Sequence, residues 1–154
     1  MIEVPTPVDM DAFGRKLAGI LEPGDLLVLT GPLGAGKTAL TQGIGAGLGV
    51  RGPVVSPTFV IARVHQGGRL PLVHVDAYRL RSLDEVDDMD LDVDIADSVT
   101  VVEWGAGLVE RLSDARLEVT IGRRPDTEIR EVSLTPIDGT WGDRIKSVWP
   151  GTAS

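Results

Sequence analysis

Apolar residues recur along the chain with two different spacings, which predict helices and strands. From Thr6 or Asp9, either of which is a suitable N-cap, a helical spacing continues to about Leu21. The next segment, Asp25–Thr30, is short and largely apolar, as a buried strand is. The apolar face of the helix consists of Phe13, Leu17, Ile20 and Leu21. This part of the chain therefore predicts a helix that leads into a buried strand.

Further helices and strands are predicted beyond this strand. Lys37–Leu48 has the length of a helix, although it contains Gly43, Gly45 and Gly47, each of which costs up to about 1 kcal/mol relative to alanine. Close packing of this helix on a sheet would offset that cost. The other predicted elements are a hairpin of strands at Phe59–Val64 and Leu70–Val75, a strand at Val99–Val102, a short helical stretch from Gly105 to Leu112, strands at Arg116–Ile121 and Arg130–Pro136, and a helix at Thr140–Trp149.

The number and order of these elements predict a single α/β domain at residues 1–149. A chain of 154 residues is long enough to bury a substantial core. We expect the tail at 150–154 to be disordered.

Between the buried strand and the glycine-containing helix lies Gly31–Thr38, which matches the phosphate-binding pattern G-x-x-x-x-G-K-[ST] at every specified position. The main-chain N–H groups of such a loop turn inward around a phosphate, and the start of the following helix adds a favourable dipole. Lys37 is placed to reach the β- and γ-phosphates, and the Thr38 hydroxyl is a ligand for Mg²⁺. A chance glycine-rich turn is a poor explanation, because a strand precedes the loop and a helix follows it. The segment therefore predicts a nucleoside triphosphate site, with the phosphates surrounded by Leu33, Gly34, Ala35 and Gly36.

Two acidic residues stand directly after predicted strands. Asp76 follows Leu72–Val75, and Glu103 follows Val99–Val102. Ligands of open α/β sheets bind beyond the carboxyl ends of the strands, and Mg²⁺ commonly takes one or two carboxylates in addition to substrate phosphates. We therefore expect one acid to be the Walker B residue and the other to position water. An acid at a strand end can also serve only as a cap for the next turn.

Composition limits the compartment and the kind of partner. The chain has 15 basic and 23 acidic side chains, a formal net charge of −8, and no cysteine. Disulfides and thiolate zinc sites are therefore excluded. Because nucleic-acid binding depends on cations that neutralise phosphates, this charge argues against direct, tight binding of nucleic acid. The sequence has no recognisable signal peptide or membrane-spanning run, so we expect a cytoplasmic protein.

Two polar segments have more than one interpretation. Ser56 and Thr58 follow the helix after the phosphate loop, where many such proteins have a nucleotide-sensing switch, but an ordinary polar loop fits equally well. Asp84–Asp97 is strongly acidic, which indicates a solvated helix or loop, or else a surface for a basic partner. It does not match a calcium loop, because Ile95 and Val101 stand where a glycine and a glutamate are required.

Four motifs, in this order and at these separations, resemble a known family: GPLGAGKT, SPTF, HVDAYRL and VVEWG. The chain is similar to the bacterial ATPases of tRNA threonylcarbamoyladenosine synthesis, called TsaE and formerly YjeE. The resemblance runs from about Phe13 to Trp104, and more loosely to Val132. It implies a P-loop NTPase fold, in which a single three-layer domain has a mixed, largely parallel central sheet.

The resemblance also implies roles for individual residues. Lys37 would bind phosphates and act with Asp76 in hydrolysis, Thr38 and Glu103 would hold Mg²⁺, and Trp104 would lie at the nucleotide site. The implied activity is a weak, partner-stimulated hydrolysis of ATP to ADP. The implied partners are TsaB-like and TsaD-like proteins, which transfer a threonylcarbamoyl group to the adenosine beside the anticodon.

Two positions depart from the family's pattern. Pro32 replaces an acidic residue that is common there, and Met10 stands four residues before Gly14, where the family often has a threonine. The departure at Met10 leaves open which residues contact adenine.

Two other functions also use a phosphate loop. A small-molecule kinase usually has an arginine-bearing lid, whereas the adjacent pair Arg123–Arg124 lies far along this chain and no insertion of lid size is evident. A GTPase needs an Asn-Lys-x-Asp guanine reader, and this sequence contains no asparagine. The kinase is thus the remaining alternative, and analysis of the reaction products distinguishes it from an ATPase.

Overall fold

The computed structural model describes residues 2–32, 36–52, 54, 62–76, 95–103, 115–137 and 139–149, without the side chains of Asp76 and Ile95. Several predictions lie outside these residues. They concern Leu33, Gly34 and Ala35 of the phosphate loop, Ser56 and Thr58, most of the acidic segment, Trp104 with the helical stretch after it, and the tail at 150–154.

Strands and helices alternate along the described part of the chain. The strands are β1 (Ile2–Val4), β2 (Leu26–Thr30), β3 (Ala62–His65), β4 (Leu72–Asp76), β5 (Val99–Glu103), β6 (Arg116–Arg123) and β7 (Arg130–Ile137). The helices are α1 (Pro7–Ala18), α2 (Lys37–Leu48) and α3 (Trp141–Val148), and a 3₁₀ turn at Ile95–Asp97 precedes β5. Helix α2 has the predicted bounds, whereas β1 was not predicted.

The strands form one sheet in the order β1-β7-β6-β2-β5-β4-β3. Its four central strands, β6, β2, β5 and β4, are mutually parallel. Antiparallel pairing adds β7 and β1 at one edge and β3 at the other, where β3 and β4 form the predicted hairpin. The predicted fold class, a mixed α/β sheet with a parallel centre, is confirmed.

Both faces of the central strands are buried. Leu27 and Leu29 of β2 belong to the hydrophobic core that α1, α2 and α3 share with the sheet. Side chains of the opposite face are also buried, which a three-layer arrangement requires: Leu26, Val28, Val73, Val75 and Val102. None of the described helices is long and apolar enough to cross a membrane.

The start of α1 agrees with the prediction, but its end does not. Thr6 is the N-cap, and it forms a capping box in which its side chain and that of Asp9 bond each other's main-chain N–H groups. The α-helix ends at Ala18, three residues before the predicted Leu21. Beyond Ala18 the N–H groups bond carbonyls three residues back, and the guanidinium of Arg69 donates to the carbonyl oxygens of Ala18 and Leu21. A distant arginine therefore satisfies two carbonyl groups at the end of the helix, while Leu21 stays buried.

Helices α1 and α2 approach each other closely at glycines. A Cβ on Gly14 of α1 would lie 2.6 Å from the carbonyl oxygen of Leu40. A Cβ on Gly43 of α2 would lie 2.4 Å from the carbonyl oxygen of Asp11. Real Cβ atoms essentially never make contacts below 3.0 Å. Glycine at both positions thus lets the helix that follows the phosphate loop pack directly on α1.

The predicted packing of the α2 glycines on the sheet is wrong for two of the three. Gly43 and Gly47 are four residues apart and face α1, where a Cβ on Gly47 would lie 2.6 Å from the Cβ of Ala18. Gly45 lies on the other side of the helix, where an added Cβ would meet a Val54 side-chain carbon at 2.3 Å. Because residues two positions apart in a helix point to different sides, the glycines of α2 allow close contact with α1 on one side and with Val54 on the other.

Candidate nucleotide-binding site

The carboxyl ends of three neighbouring parallel strands meet near the start of α2. In the strand register, Glu103 at the end of β5 pairs with Leu29 of β2 on one side and with Asp76 of β4 on the other. Adjacent strands are about 4.8 Å apart, so the two acidic residues are direct neighbours. Strand β2 ends at Thr30, immediately before Gly31 of the phosphate loop. The register thus brings both predicted acids to the strand edge from which the loop leaves.

Lys37, the first residue of α2, points its ammonium group into the loop. Its side chain is 6% exposed. The Nζ atom donates to the carbonyl oxygen of Gly31 at 2.5 Å and lies 3.4 Å from that of Pro32. These bonds fix a positive charge beside the main chain of the loop, where a phosphate group would need it.

Gly36 makes the turn between the loop and α2. Its φ of 110° lies in the left-handed region that side chains disfavour. An added Cβ would also stand 3.2 Å from the Cε of Met10. Both the conformation and the contact with α1 explain why a glycine precedes Lys37.

The charges of Lys37 and Glu103 interact across this site. Burial lowers the pKa of Lys37 from its usual value, and the Glu103 carboxylate opposes this by raising it. The Glu103 side chain is 13% exposed, and its Oε1 lies 3.1 Å from Nε2 of His74. The carboxylate therefore has a histidine on one side and lies within electrostatic range of the phosphate-loop lysine.

The oxygen donors at this edge suit Mg²⁺. Thr38 is exposed in the first turn of α2, and Glu103 supplies a partly exposed carboxylate. No group of three or more His, Cys, Asp or Glu side chains able to hold a metal occurs among the described residues. Mg²⁺ is typically held by one or two carboxylates together with substrate phosphates. A hydroxyl, a carboxylate and a nearby phosphate loop fit that preference.

A cavity of about 350 Å³ adjoins the phosphate loop through Gly36. Apolar side chains of α1 and α2 and of the residues before α1 form much of its wall, and Arg130 and Glu128 lie at the β7 side. Its lining consists of Pro5, Thr6, Pro7, Met10, Gly36, Ala39, Glu128 and Arg130. Its volume falls in the range of small-molecule sites. A largely apolar cleft of this size suits a planar heterocycle.

The structure describes five of the predicted site residues. Gly36 ends the phosphate loop, Lys37 and Thr38 begin α2, and Asp76 and Glu103 end the strands beside the loop. Leu33, Gly34, Ala35 and Trp104 lie outside the described residues. Sequence reasoning did not predict His74 or the cavity residues Thr6, Ala39 and Glu128 as part of a site. The signal for His74 was its position two residues before Asp76 in the same strand.

Strand β2 enters the segment Gly31–Thr38, helix α2 begins at Lys37, and neighbouring strands end in acidic residues beside them. Together these features define the P-loop class of α/β folds. The family model described as "Threonylcarbamoyl adenosine biosynthesis protein TsaE" matches residues 4–132. The chain belongs to this family, which confirms the resemblance found in the sequence.

Similar proteins support the same assignment. The protein named "tRNA threonylcarbamoyladenosine biosynthesis protein TsaE" from Streptomyces coelicolor is 56% identical over 148 residues, which cover 92% of this chain and 100% of that protein. The Bacillus subtilis protein of the same name is 41% identical over 132 residues, with 85% of this chain and 82% of that protein covered. The crystal structure of Bacillus subtilis YdiB has a TM-score of 0.78 and 32% identity, and the match covers 96% of this chain and 92% of that one.

Proposed function

We propose that this protein is a Mg²⁺-dependent ATPase that hydrolyses ATP to ADP and phosphate in support of tRNA N6-threonylcarbamoyladenosine modification. One observation carries the proposal. In a chain of the TsaE family, the buried ammonium of Lys37 lies within electrostatic range of Glu103, which pairs with Asp76 at the adjacent strand end. A phosphate-binding cation beside two acidic residues is the arrangement that phosphoryl transfer needs.

The triphosphate binds in the loop. Main-chain N–H groups of Leu33, Gly34, Ala35 and Gly36 surround the phosphates. Lys37 exchanges its bonds to the Gly31 and Pro32 carbonyls for phosphate oxygens, and this exchange keeps its charge compensated.

The residues around the γ-phosphate have different roles in hydrolysis. Thr38 and Glu103 hold Mg²⁺, which when bound neutralises the charge that develops on the phosphate oxygens. Asp76 orients the attacking water, and Trp104, directly after Glu103, lies beside the nucleotide. Because hydrolysis depends on this positioning, the loss of any one of these groups should lower turnover, and the reason should differ from group to group.

The nucleoside part of ATP occupies the cavity beside Gly36. Ala39→Leu would fill this space from α2, so we expect weaker binding of ATP but unchanged binding of inorganic tripolyphosphate, which needs only the loop. Ala46→Leu is the matched control, because Ala46 is exposed on the same helix and does not line the cavity. Isothermal titration of both ligands with both variants tests this. Equal loss of both ligands in Ala39→Leu would place the base elsewhere.

Titration of variants also tests the phosphate site. Lys37→Ala should abolish hydrolysis and weaken ATP binding, whereas Thr38→Ala should mainly weaken the binding that depends on Mg²⁺. Asp76→Asn should lower turnover with nucleotide affinity nearly kept. The products distinguish this function from a kinase, because an ATPase releases free phosphate without any acceptor. Hydrolysis by Lys37→Ala at the wild-type rate would refute the site.

We further propose that the protein acts through TsaB-like and TsaD-like partners and does not bind tRNA tightly itself. The formal net charge of −8 opposes contact with a polyanion, since each phosphate contact would need a cation working against that field. The isolated protein should not shift tRNA at moderate salt, and the partner pair should raise its ATPase rate. Tight, salt-sensitive binding of tRNA by the isolated chain would contradict this.

A further inference from the structure

Resting on the proposed function, we propose that His74 is a positioning residue that fixes the Glu103 carboxylate, so that one of its oxygens is held by the imidazole and the other is presented to the magnesium–nucleotide complex. The imidazole of His74 is fully buried in β4, and its Nε2 lies 3.1 Å from Glu103 Oε1. Glu103 itself ends β5 and is 13% exposed.

Strand register explains how the two side chains meet. His74 pairs with Val101, and two residues further along the strands Asp76 pairs with Glu103. The histidine is thus one step further into the sheet than the two acids, and its ring reaches toward the strand end. From there it contacts Glu103 from the protein interior and leaves the exposed side of the carboxylate for a ligand.

The chemistry of the two groups fixes the direction of the hydrogen bond between His74 and Glu103. A carboxylate only accepts, so the hydrogen in this bond must be on Nε2 of His74. A bond from N–H to an ionised carboxylate is about twice as strong as a neutral one, and burial of the ring keeps water from competing for it. The bond therefore restricts rotation of Glu103 and distinguishes its two oxygens. Groups that orient metal ligands in this way typically change metal affinity about 10- to 100-fold when they are removed.

A purely structural role for the ring explains less. Its neighbours in this layer of the sheet, Leu72 and Val101, are apolar and fully buried, so a leucine or valine would suit the packing. The other ring nitrogen, Nδ1, is buried and has no hydrogen-bond partner among the described residues. The bond to Glu103 is therefore what offsets the cost of burying a polar ring at this position.

The chain offers a matched control in the next strand. His65 of β3 pairs with Leu72 of β4, and its buried Nε2 has no hydrogen-bond partner within the described part of the chain. Substitution of His65 thus removes a histidine from the same sheet without removing a bond to Glu103. A change in nucleotide affinity on substitution of either histidine would be structural, whereas a change only on substitution of His74 would come through Glu103.

The experiment compares His74→Met, which has a similar shape but no donor, with His74→Gln, whose amide nitrogen can replace Nε2. Calorimetry gives the affinity for ADP and ATP with excess Mg²⁺ and with EDTA, and the ratio of the two affinities measures the contribution of the metal. We expect His74→Met to lower this ratio about tenfold or more and to change the EDTA affinity less than twofold. His74→Gln and both His65 variants (Met and Gln) should keep the ratio.

Each other outcome overturns the inference. An unchanged ratio in His74→Met, an equal loss with and without Mg²⁺, or a failure of His74→Gln to retain the ratio would each show that His74 does not act through Glu103. If His74→Met does not fold, His74→Asn replaces it, because its amide is too short to reach Glu103 and the same loss is expected. Wild-type protein that binds no nucleotide would refute the proposed function as well, whereas normal wild-type binding with an unchanged ratio refutes only the role of His74.

Discussion

Replacement of Gly43 by alanine tests whether the close packing of α1 on α2 contributes to the stability of the protein. The added Cβ would lie 2.4 Å from the carbonyl oxygen of Asp11 and 3.1 Å from its Cα. Both contacts are with main-chain atoms, which cannot rotate away as a side chain can. Restoring an ordinary separation of 3.4 Å would require the helices to move apart by about 1 Å.

Two opposing effects set the size of the change in the free energy of unfolding. Alanine favours the helix over glycine by about 1 kcal/mol. Overpacking typically costs about 1–3 kcal/mol and occasionally more, and a rigid main-chain contact belongs at or above the upper end. We therefore expect Gly43→Ala to destabilise the protein by about 2 kcal/mol. For a domain of this size that corresponds to a fall in Tm of roughly 4–8 °C.

Thermal and urea unfolding measure this change, with Gly142→Ala as the control. Gly142 lies in α3, and a Cβ there would meet nothing within 4 Å. Alanine at Gly142 should leave Tm unchanged or raise it slightly, since only the helical preference acts. A Gly43→Ala variant as stable as the wild type would refute the reasoning, because it would mean that α1 and α2 separate without cost.

Three further predictions concern other parts of the molecule. Arg144→Met should lower the free energy of unfolding by about 2 kcal/mol, because Arg144 bonds both carboxylate oxygens of Asp25 at 2.7 and 3.1 Å; urea unfolding measures the loss, and an unchanged midpoint would contradict it. In Glu103→Gln the pKa of Lys37 should fall further below its usual value, since burial lowers it and Glu103 is the charge that raises it; an NMR titration of the lysine would contradict this if the pKa rose. Tryptophan fluorescence should respond to ADP or ATP, and in Trp104→Phe the response should be lost; a full response from the other two tryptophans would place Trp104 away from the nucleotide.

The fold could be predicted where its causes are local. The bounds of α2 follow from Gly36 before it and from a helical segment that ends in a glycine-rich turn, and all of these are visible in the sequence. The hydrogen bonds at the end of α1 could not be predicted, because they come from Arg69, some 50 residues away. Strand β1 was missed for a similar reason. It has only three residues, too few to show a period, and it exists through pairing with β7.

In the candidate site, too, only the features with local causes could be predicted. Asp76 and Glu103 could be expected near the phosphate loop, because each ends a strand and parallel strands end at one edge. The bond between His74 and Glu103 could not, since it depends on the register of β4 against β5. The cavity was also beyond prediction, because its wall combines residues before and within α1, in α2 and around the start of β7.

A crystal structure with Mg²⁺ and a non-hydrolysable ATP analogue would show where the nucleotide and the metal ion bind. We expect the phosphates inside the loop with Lys37 Nζ on a phosphate oxygen, Mg²⁺ in contact with Thr38 and Glu103, and the base in the cavity beside Gly36. A nucleotide bound elsewhere on the molecule, or a metal ion that contacts neither Thr38 nor Glu103, would contradict the account.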